Sequence, residues 1–267
     1  MKHLLIFVVS LLYIHSVSAS VCVMNCNTNE VIYEEDMYKT QSVASISKLM
    51  TAIIVIENVS LSEMIYIEND VVNIEGSSIY LKEGEIYSVR ALLYGLMLPS
   101  GNDSAVAIAE YISGSEKEFA VLMNEEARKL GATNSNFVNA HGYHDDNHYT
   151  TAYDLYLILK ECVKNDTFLE IVSSKEYTLK IDQKNGTYRN VTWRQTNQFV
   201  TGLRSEPNGI DVIGGKTGTT DQAGSCLIMY SETDAHPYIS VVMGANNKAK
   251  LYENMTYLIS GAVKSEN

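Results

Sequence analysis

Strand-like segments lie near both ends of this 267-residue chain, and helical patterns occupy its middle. Residues 20–36 alternate like two short strands, with a turn at residues 27–29. Residues 210–245 hold three further strand-like runs, preceded by a hairpin pattern with Asn185 and Gly186 as its turn. Strands from the two ends of a chain can pair in one antiparallel sheet, with the helices inserted as a lobe. The sequence therefore predicts an α+β protein of this kind.

Capping residues mark the helices of the middle region. Ser88 precedes an apolar run that Pro99 ends, and a second helix is expected at about residues 103–112. Ser115 begins a capping box for a third helix. A fourth helix follows Thr151, a terminal helix covers residues 249–264, and the apolar run at residues 43–57 predicts a buried helix near the N-terminus.

The first residues form a segment of their own. Lys2 and His3 precede a short apolar run, and Val17 and Ala19 stand at the −3 and −1 positions of a cleavage-site pattern. We expect residues 1–19 to be a secretory signal peptide and residues 20–267 to be one exported domain. An uncleaved N-terminal segment that holds the chain at a membrane is the alternative.

The charge of the chain limits its partners. It has 20 basic and 32 acidic residues, a formal net charge of −12. A chain of this charge has no electrostatic reason to bind nucleic acid.

Three short motifs carry residues that can do chemistry. They are Ser45-Ile46-Ser47-Lys48 at the start of a predicted helix, Ser100-Gly101-Asn102 between two helices, and Lys216-Thr217-Gly218 near a strand end. Each motif alone is weak, but their order and their flanking sequences make the set specific.

A lysine at the start of an apolar helix needs an explanation. Residues three apart on a helix are neighbours, about 5–6 Å between Cβ atoms, so Lys48 can reach the Ser45 hydroxyl. A serine becomes a good nucleophile when a neighbouring group accepts its proton. Burial and the like charge of Lys216 disfavour the protonated form of Lys48. We therefore interpret Lys48 as a base for Ser45.

With these motifs the chain resembles the serine-type D-alanyl-D-alanine carboxypeptidases, the low-molecular-mass penicillin-binding proteins. The resemblance covers roughly residues 20–244 and includes "LMLPSGNDSAVAIAE", "FVNAHG", "TAYDL" and "GGKTGTTDQAGSCL". It implies a β-lactamase/transpeptidase-like fold, with a five-stranded antiparallel sheet, flanking helices and an inserted helical lobe. It also implies catalytic roles for Ser45, Lys48 and Ser100, and substrate-binding roles for Asn102, Lys216, Thr217, Gly218 and Thr219.

The resemblance also implies a reaction. Ser45 would form an acyl-enzyme with the penultimate D-alanine carbonyl of a peptidoglycan stem peptide, and β-lactams would acylate the same serine. Lys216 would stay cationic, and the N–H groups of Ser45 and Thr219 would form the oxyanion hole. Gly214, Gly215 and Gly218 would leave room for the ligand along the strand. No cofactor or metal is implied, and the site of action is extracytoplasmic.

The sequence departs from the family in two places. A turn with proline at its second position is usual in the family, and here it reads Asn139-Ala140-His141-Gly142. Many members also have a β-rich second domain and a C-terminal membrane anchor, which we do not expect in this chain.

Four alternatives remain open. A β-lactamase shares the first and third motifs, but the common class has S-D-N in the middle and a separate glutamate. A D,D-endopeptidase of the same family has the same motifs. A non-catalytic β-lactam sensor would normally be tethered to a membrane segment. A zinc enzyme would use His141, His144 and His148, which we interpret instead as surface-loop histidines.

Overall fold

The computed structural model describes residues 19–182, 187–233 and 236–265, so the expected signal peptide up to residue 18 and the Asn185-Gly186 turn lie outside the described residues. None of the helices in these ranges is long and apolar enough to span a membrane. In chain order the elements are β1 (Ser20–Asn25), β2 (Val31–Glu35), a 3-10 turn (Ala44–Ser47), α1 (Lys48–Asn58), β3 (Met64–Tyr66), a 3-10 turn (Asn69–Val71), β4 (Ile86–Ser88), α2 (Val89–Met97), α3 (Asn102–Ser113), α4 (Glu116–Lys129), α5 (Ala152–Cys162), α6 (Asp166–Ser173), β5 (Glu176–Asp182), β6 (Tyr188–Arg194), β7 (Asp211–Thr220), β8 (Gly224–Glu232), β9 (Pro237–Ala245) and α7 (Lys248–Ser265).

The main sheet joins the two ends of the chain. Its order is β2-β1-β9-β8-β7, and every neighbouring pair is antiparallel. Val21 of β1 lies opposite Val242 of β9, so a strand from the N-terminus pairs with one from the C-terminus. The prediction of a five-stranded antiparallel sheet with helices inserted between its parts is confirmed.

Strand β1 is buried on both faces of this sheet, which explains its almost continuous apolar sequence. Cys22 and Met24 belong to the core shared with the helical lobe, whereas Val21 and Val23 belong to the core under α7. Successive strand side chains point to opposite faces, so the two cores alternate along β1. Full burial of such an apolar side chain stabilises the fold by about 1.5–3 kcal/mol.

The segment around Ser45 differs from the prediction. Regular α-helix begins at Lys48, and the preceding residues form the 3-10 turn. Ala44 has φ +52°, in the left-handed region that a residue with a Cβ rarely occupies. Ser45 therefore lies on a tight turn in front of α1, and its side chain is half-buried rather than packed in the helix.

Sequence analysis missed helix α6. The Asn165 side chain accepts hydrogen bonds from the N–H groups of Thr167 and Phe168, at 2.9 and 3.3 Å, and so caps this helix. Phe168, Ile171 and Val172 are its buried residues. An asparagine followed by this apolar spacing was the available signal. The helix packs against β7, the edge strand that carries the third motif.

Candidate active site

The first motif brings Ser45 and Lys48 into contact. Lys48 Nζ lies 3.0 Å from Ser45 Oγ, 2.7 Å from Asn102 Oδ1 and 2.8 Å from the carbonyl oxygen of His141. A neutral amine has two N–H groups and one lone pair. The carbonyl oxygens of Asn102 and His141 can only accept, so they take both N–H groups. The lone pair of a neutral Lys48 then faces the Ser45 hydroxyl.

The surroundings of Lys48 favour this neutral form. The side chain is fully buried. Burial, and after it the like charge of Lys216, hold the pKa of Lys48 well below its ordinary value, although Asp103 and Glu116 act in the opposite direction. Of Lys48 and Lys216, we therefore describe Lys48 as neutral.

The second and third motifs meet on the other side of the site. Ser100 follows Pro99 in the connection between α2 and α3 and has φ +69°. Lys216 Nζ donates to Ser100 Oγ at 2.9 Å and to the carbonyl oxygen of Thr217 at 2.9 Å. The buried Lys216 side chain thus joins the turn after α2 to strand β7.

The charge of Lys216 is less certain to persist than the sequence suggests, because the structure buries its amine. Its side chain is fully buried, and burial lowers its pKa to about 7. Among the described residues, no carboxylate lies within ion-pair distance of its Nζ. A bound anion beside this nitrogen would stabilise the charged form and raise the pKa again.

Gly218 lets β7 approach the turn that carries Ser45. A Cβ on Gly218 would lie 3.0 Å from the backbone nitrogen of Ser45 and 3.0 Å from the Val43 carbonyl oxygen. Thr217 is held from the side by Thr196, whose Oγ1 lies 2.7 Å from Thr217 Oγ1. Thr219 is exposed beyond them. Sequence analysis did not find Thr196, because no motif marks it.

The space beside Gly214 and Gly215, like that beside Gly218, is filled by protein groups, so the expectation that these glycines leave room for a ligand is wrong. A Cβ on Gly214 would lie 2.7 Å from both the side chain and the carbonyl oxygen of Val172, so α6 occupies that space. A Cβ on Gly215 would overlap the carbonyl oxygen of Ile228 in β8. These two glycines serve packing within the protein.

Asn102 is held by protein groups at both ends of its amide. Its Oδ1 accepts from Lys48, and its Nδ2 donates to the carbonyl oxygen of Glu75 at 2.6 Å. The Glu75 carboxylate in turn accepts from the Tyr143 hydroxyl at 2.6 Å. Each end of the Asn102 amide therefore keeps one hydrogen-bonding position beyond these contacts, because Nδ2 has a second N–H and Oδ1 a second lone pair.

The three histidines of the segment "HGYHDDNH" are not all surface residues, so that interpretation is corrected. His141 is 9% exposed and His148 is 2% exposed. The His141 ring lies 3.2 Å from Glu116 Oε1 through Nε2 and accepts the Tyr143 N–H at Nδ1. Burial first, then Lys48 and His148, lower the pKa of His141 to about 3. His144, by contrast, faces the exposed Asp146.

Substitution of Gly142 tests how closely the segment of residues 141–148 packs against the turn that carries Ser45. Gly142 has φ +80°, and a Cβ there would overlap the carbonyl oxygen of Ala44. We expect Gly142→Ala to lower the free energy of unfolding by about 3–5 kcal/mol, because backbone strain and overpacking add. Gly114→Ala is the matched control, since Gly114 has φ +78° and a Cβ there meets nothing within 4 Å. It should cost about 1 kcal/mol in urea unfolding. Equal losses for the two variants would contradict the close approach at Ala44.

Comparison with known proteins agrees with this geometry. Residues 10–247 match the family model described as D-alanyl-D-alanine carboxypeptidase. The D-alanyl-D-alanine carboxypeptidase of Streptomyces sp. strain K15 is 35% identical over 84% of this chain and 79% of that protein. The D-alanyl-D-alanine carboxypeptidase DacF of Bacillus subtilis is 30% identical over 88% of this chain.

Solved structures show the same fold. The Streptomyces K15 DD-transpeptidase superposes with a TM-score of 0.85 at 30% identity, over 93% of this chain and 98% of that one. The D-alanyl-D-alanine carboxypeptidase DacD of Francisella tularensis superposes with a TM-score of 0.81 at 26% identity, over 93% of this chain and 71% of that one.

The fold and these matches place the chain among the serine peptidases. Within this class, the chain belongs to the D-alanyl-D-alanine carboxypeptidase family. It spans 59% of the length of the Bacillus subtilis relative and 57% of that of Escherichia coli DacD.

Proposed function

We propose that this chain is a serine D,D-carboxypeptidase that removes the terminal D-alanine from peptidoglycan stem peptides through an acyl-enzyme on Ser45. The observation that carries the proposal is the set of three contacts at Lys48 Nζ. Two carbonyl oxygens take its N–H groups, and Ser45 Oγ lies 3.0 Å from Nζ, where the lone pair of a neutral lysine points. This arrangement suits a neutral lysine that accepts the serine proton.

Acylation begins at this pair. Lys48 takes the proton from Ser45 Oγ while the oxygen attacks the carbonyl carbon of the penultimate D-alanine. Negative charge develops on the carbonyl oxygen, and the backbone N–H groups of Ser45 and Thr219 would stabilise it. The substrate carboxylate would bind to Lys216 and Thr217. Support for this placement comes from the buried Lys216 Nζ beside Ser100, which a bound carboxylate would keep charged, and from the position of Thr217 against Thr196.

The leaving group needs a proton. Ser100 Oγ lies 2.9 Å from Lys216 Nζ. The Ser100 hydroxyl would protonate the D-alanine amine as the C–N bond breaks, and Lys216 would resupply the proton. The proton that Lys48 took from Ser45 then passes by way of Ser100 to Lys216, which leaves Lys48 neutral. Water attacks the acyl-enzyme, Lys48 accepts the proton of the water and returns it to Ser45 Oγ, and the shortened peptide leaves. A β-lactam ring opens on Ser45 in the same way, but its amine stays attached to the acyl group.

A fluorescent penicillin tests the proposal directly. We expect one label per chain and none in Ser45→Ala. Trypsin cleaves after Lys39 and Lys48, so the label should lie in the peptide of residues 40–48. That peptide also contains Ser42 and Ser47, so fragment ions have to locate the label. A label on another residue, or no D-alanine release from a stem pentapeptide by the unmodified chain, would refute the proposal.

The fate of the acyl group separates the related activities. One solved structure of the same fold is that of a DD-transpeptidase, so transfer of the acyl group to an amine is a second candidate. Adding an amino-acid acceptor to the pentapeptide assay measures hydrolysis and transfer together. A cross-linked stem dimer as substrate detects endopeptidase activity. Rapid catalytic hydrolysis of penicillin would identify a β-lactamase instead.

Activity should not respond to a chelator. The ring nitrogens of His141 and His148 are engaged with protein groups, and no cluster of three or more metal-ligating side chains occurs in the described part of the chain. We expect excess EDTA to leave the rate of D-alanine release unchanged. A loss of activity that zinc restores would support the histidine-zinc alternative.

We also propose that the chain is exported and that residues 1–19 are its signal peptide. The support is the pattern of charged, apolar and small residues in the sequence, together with the cell-wall substrate proposed for the site. Expression of the full chain in a bacterial host, followed by N-terminal sequencing, should give a mature protein that begins at Ser20. A secreted or membrane-bound product that still contains residues 1–19 contradicts cleavage.

A further inference from the structure

His148 contacts the motif that contains the proposed nucleophile through the side chain of Ser47. Its Nε2 lies 2.6 Å from Ser47 Oγ, and its Nδ1 lies 3.2 Å from the backbone nitrogen of Val138. A backbone N–H can only donate, so Nδ1 is the acceptor. In a neutral ring the proton is then on Nε2, and His148 donates it to Ser47.

Burial and packing keep the His148 ring neutral and fix its position. His148 is 2% exposed and packs its ring at 79° against Phe137, with 5.5 Å between the ring centroids. Burial is the main cause that lowers the pKa of His148 to about 4; Asp145 opposes it, and Lys48 and His144 add to it. At neutral pH one tautomer therefore satisfies both hydrogen bonds.

Ser47 passes the constraint on to the turn before the nucleophile. Its hydroxyl accepts from His148, so its own proton is free to be donated, and the Ala44 carbonyl oxygen lies 3.1 Å away. Ala44 is the residue with φ +52°, a conformation that costs roughly 1–3 kcal/mol and needs support from its surroundings. The His148–Ser47 pair provides a hydrogen bond at that point.

The Ala44 carbonyl and the Ser45 N–H belong to one planar peptide unit. A hydrogen bond that fixes the direction of the carbonyl therefore also fixes the direction of the N–H on its opposite side. That N–H is a proposed donor to the oxyanion, and the same plane sets where the Ser45 side chain starts. A displacement of such groups by about 1 Å can slow a reaction by roughly 100-fold.

We propose that His148 is a positioning residue which, through Ser47, holds the Ala44–Ser45 peptide plane in the orientation required for acylation. The inference rests on the proposed acylation of Ser45 and deepens it. Neither His148 nor Ser47 touches the reacting atoms in this scheme. Their effect is on the geometry of the attack.

The test compares acylation kinetics of His148→Leu, Ser47→Ala and the double variant with those of the unmodified chain. With a chromogenic penicillin, we expect the limiting acylation rate to fall about 10- to 100-fold in each single variant. The penicillin concentration at half-maximal rate should change little, because the residues act on attack and not on binding. The double variant should be no slower than the singles, since both remove the same constraint.

Two further variants separate positioning from general damage. His148→Gln keeps an N–H donor and an acceptor oxygen on its terminal amide, so it should recover most of the rate that His148→Leu loses. His144→Leu is the matched control from the same segment. His144 pairs with the exposed Asp146, so we expect this variant to be acylated at the normal rate. Thermal melts of all variants report whether each one folds.

The outcomes are separable. If the unmodified chain is not labelled at Ser45, the proposed function fails. If it is labelled and Ser47→Ala acylates at the unmodified rate, only the positioning role is overturned, and this holds even where His148→Leu does not fold. Equal rates for His148→Gln and His148→Leu, or additive losses in the double variant, also overturn it.

Discussion

Replacing Lys48 with alanine should slow acylation of Ser45 by about 10³- to 10⁴-fold, because the variant removes the group that accepts the serine proton. Its neighbours provide no replacement. Asn102 Oδ1 and the His141 carbonyl oxygen both accept hydrogen bonds from Lys48 and lie in its buried environment. The measurement is the rate of penicillin acylation, with a thermal melt beside it.

A second substitution separates the missing base from the missing volume. Lys48→Met fills most of the space of the lysine stem but offers no amine, so it should be about as slow as Lys48→Ala. Lys164→Ala is the control, since Lys164 is exposed and pairs only with Glu161 among the described residues. If either Lys48 variant folds and acylates within tenfold of the unmodified rate, Lys48 is not the base.

Removing the charge of Lys216 is expected to have the second-largest effect. Lys216→Ala should lower acylation by about 10²- to 10³-fold, because it removes both the proposed carboxylate ligand and the partner of Ser100. Lys216→Arg keeps a positive charge but replaces a compact ammonium with a wide planar group. We expect Arg to retain part of the penicillin acylation and to lose more of the D-alanine release, which depends on the Ser100 contact. If Ala performs as well as Arg, Lys216 has no electrostatic role.

The pH dependence tests how Lys216 acts on Lys48. Acylation requires neutral Lys48, so its rate should fall as the pH drops through the lowered pKa of this residue. Burial is the main cause of that lowering, and the charge of Lys216 is the second. Removing a neighbouring positive charge stabilises protonated Lys48, so in Lys216→Ala the acid limb of the residual activity should move to higher pH. An unmoved limb would show that burial alone sets the pKa.

The general architecture could be predicted because its determinants are local. Alternation of apolar residues marked the strands, and the side chains of Ser88, Ser115 and Thr151 accept the capping hydrogen bonds expected of them. Helix α6 was missed because it is one of the shorter helices and follows another helix after a short connection. The α1 boundary was misplaced because the left-handed Ala44 depends on contacts with residues about 100 positions away.

The candidate site divides in the same way. The three motifs were found because each is contiguous in sequence, and the structure brings Ser45 to Lys48 and Ser100 to Lys216. Thr196 carries no such signal. It contacts the site through a hydrogen bond that spans 21 positions.

The set of reactive groups and the elements that carry them can therefore be inferred without the fold, because residue type and periodicity are properties of short stretches. The protonation and the orientation of those groups, by contrast, depend on the folded molecule. The burial of Lys48 lowers its pKa, and its two oxygen partners, which come from residues 54 and 93 positions away, direct its lone pair. Burial and hydrogen-bond direction depend on which distant segments pack together, and no local pattern specifies that.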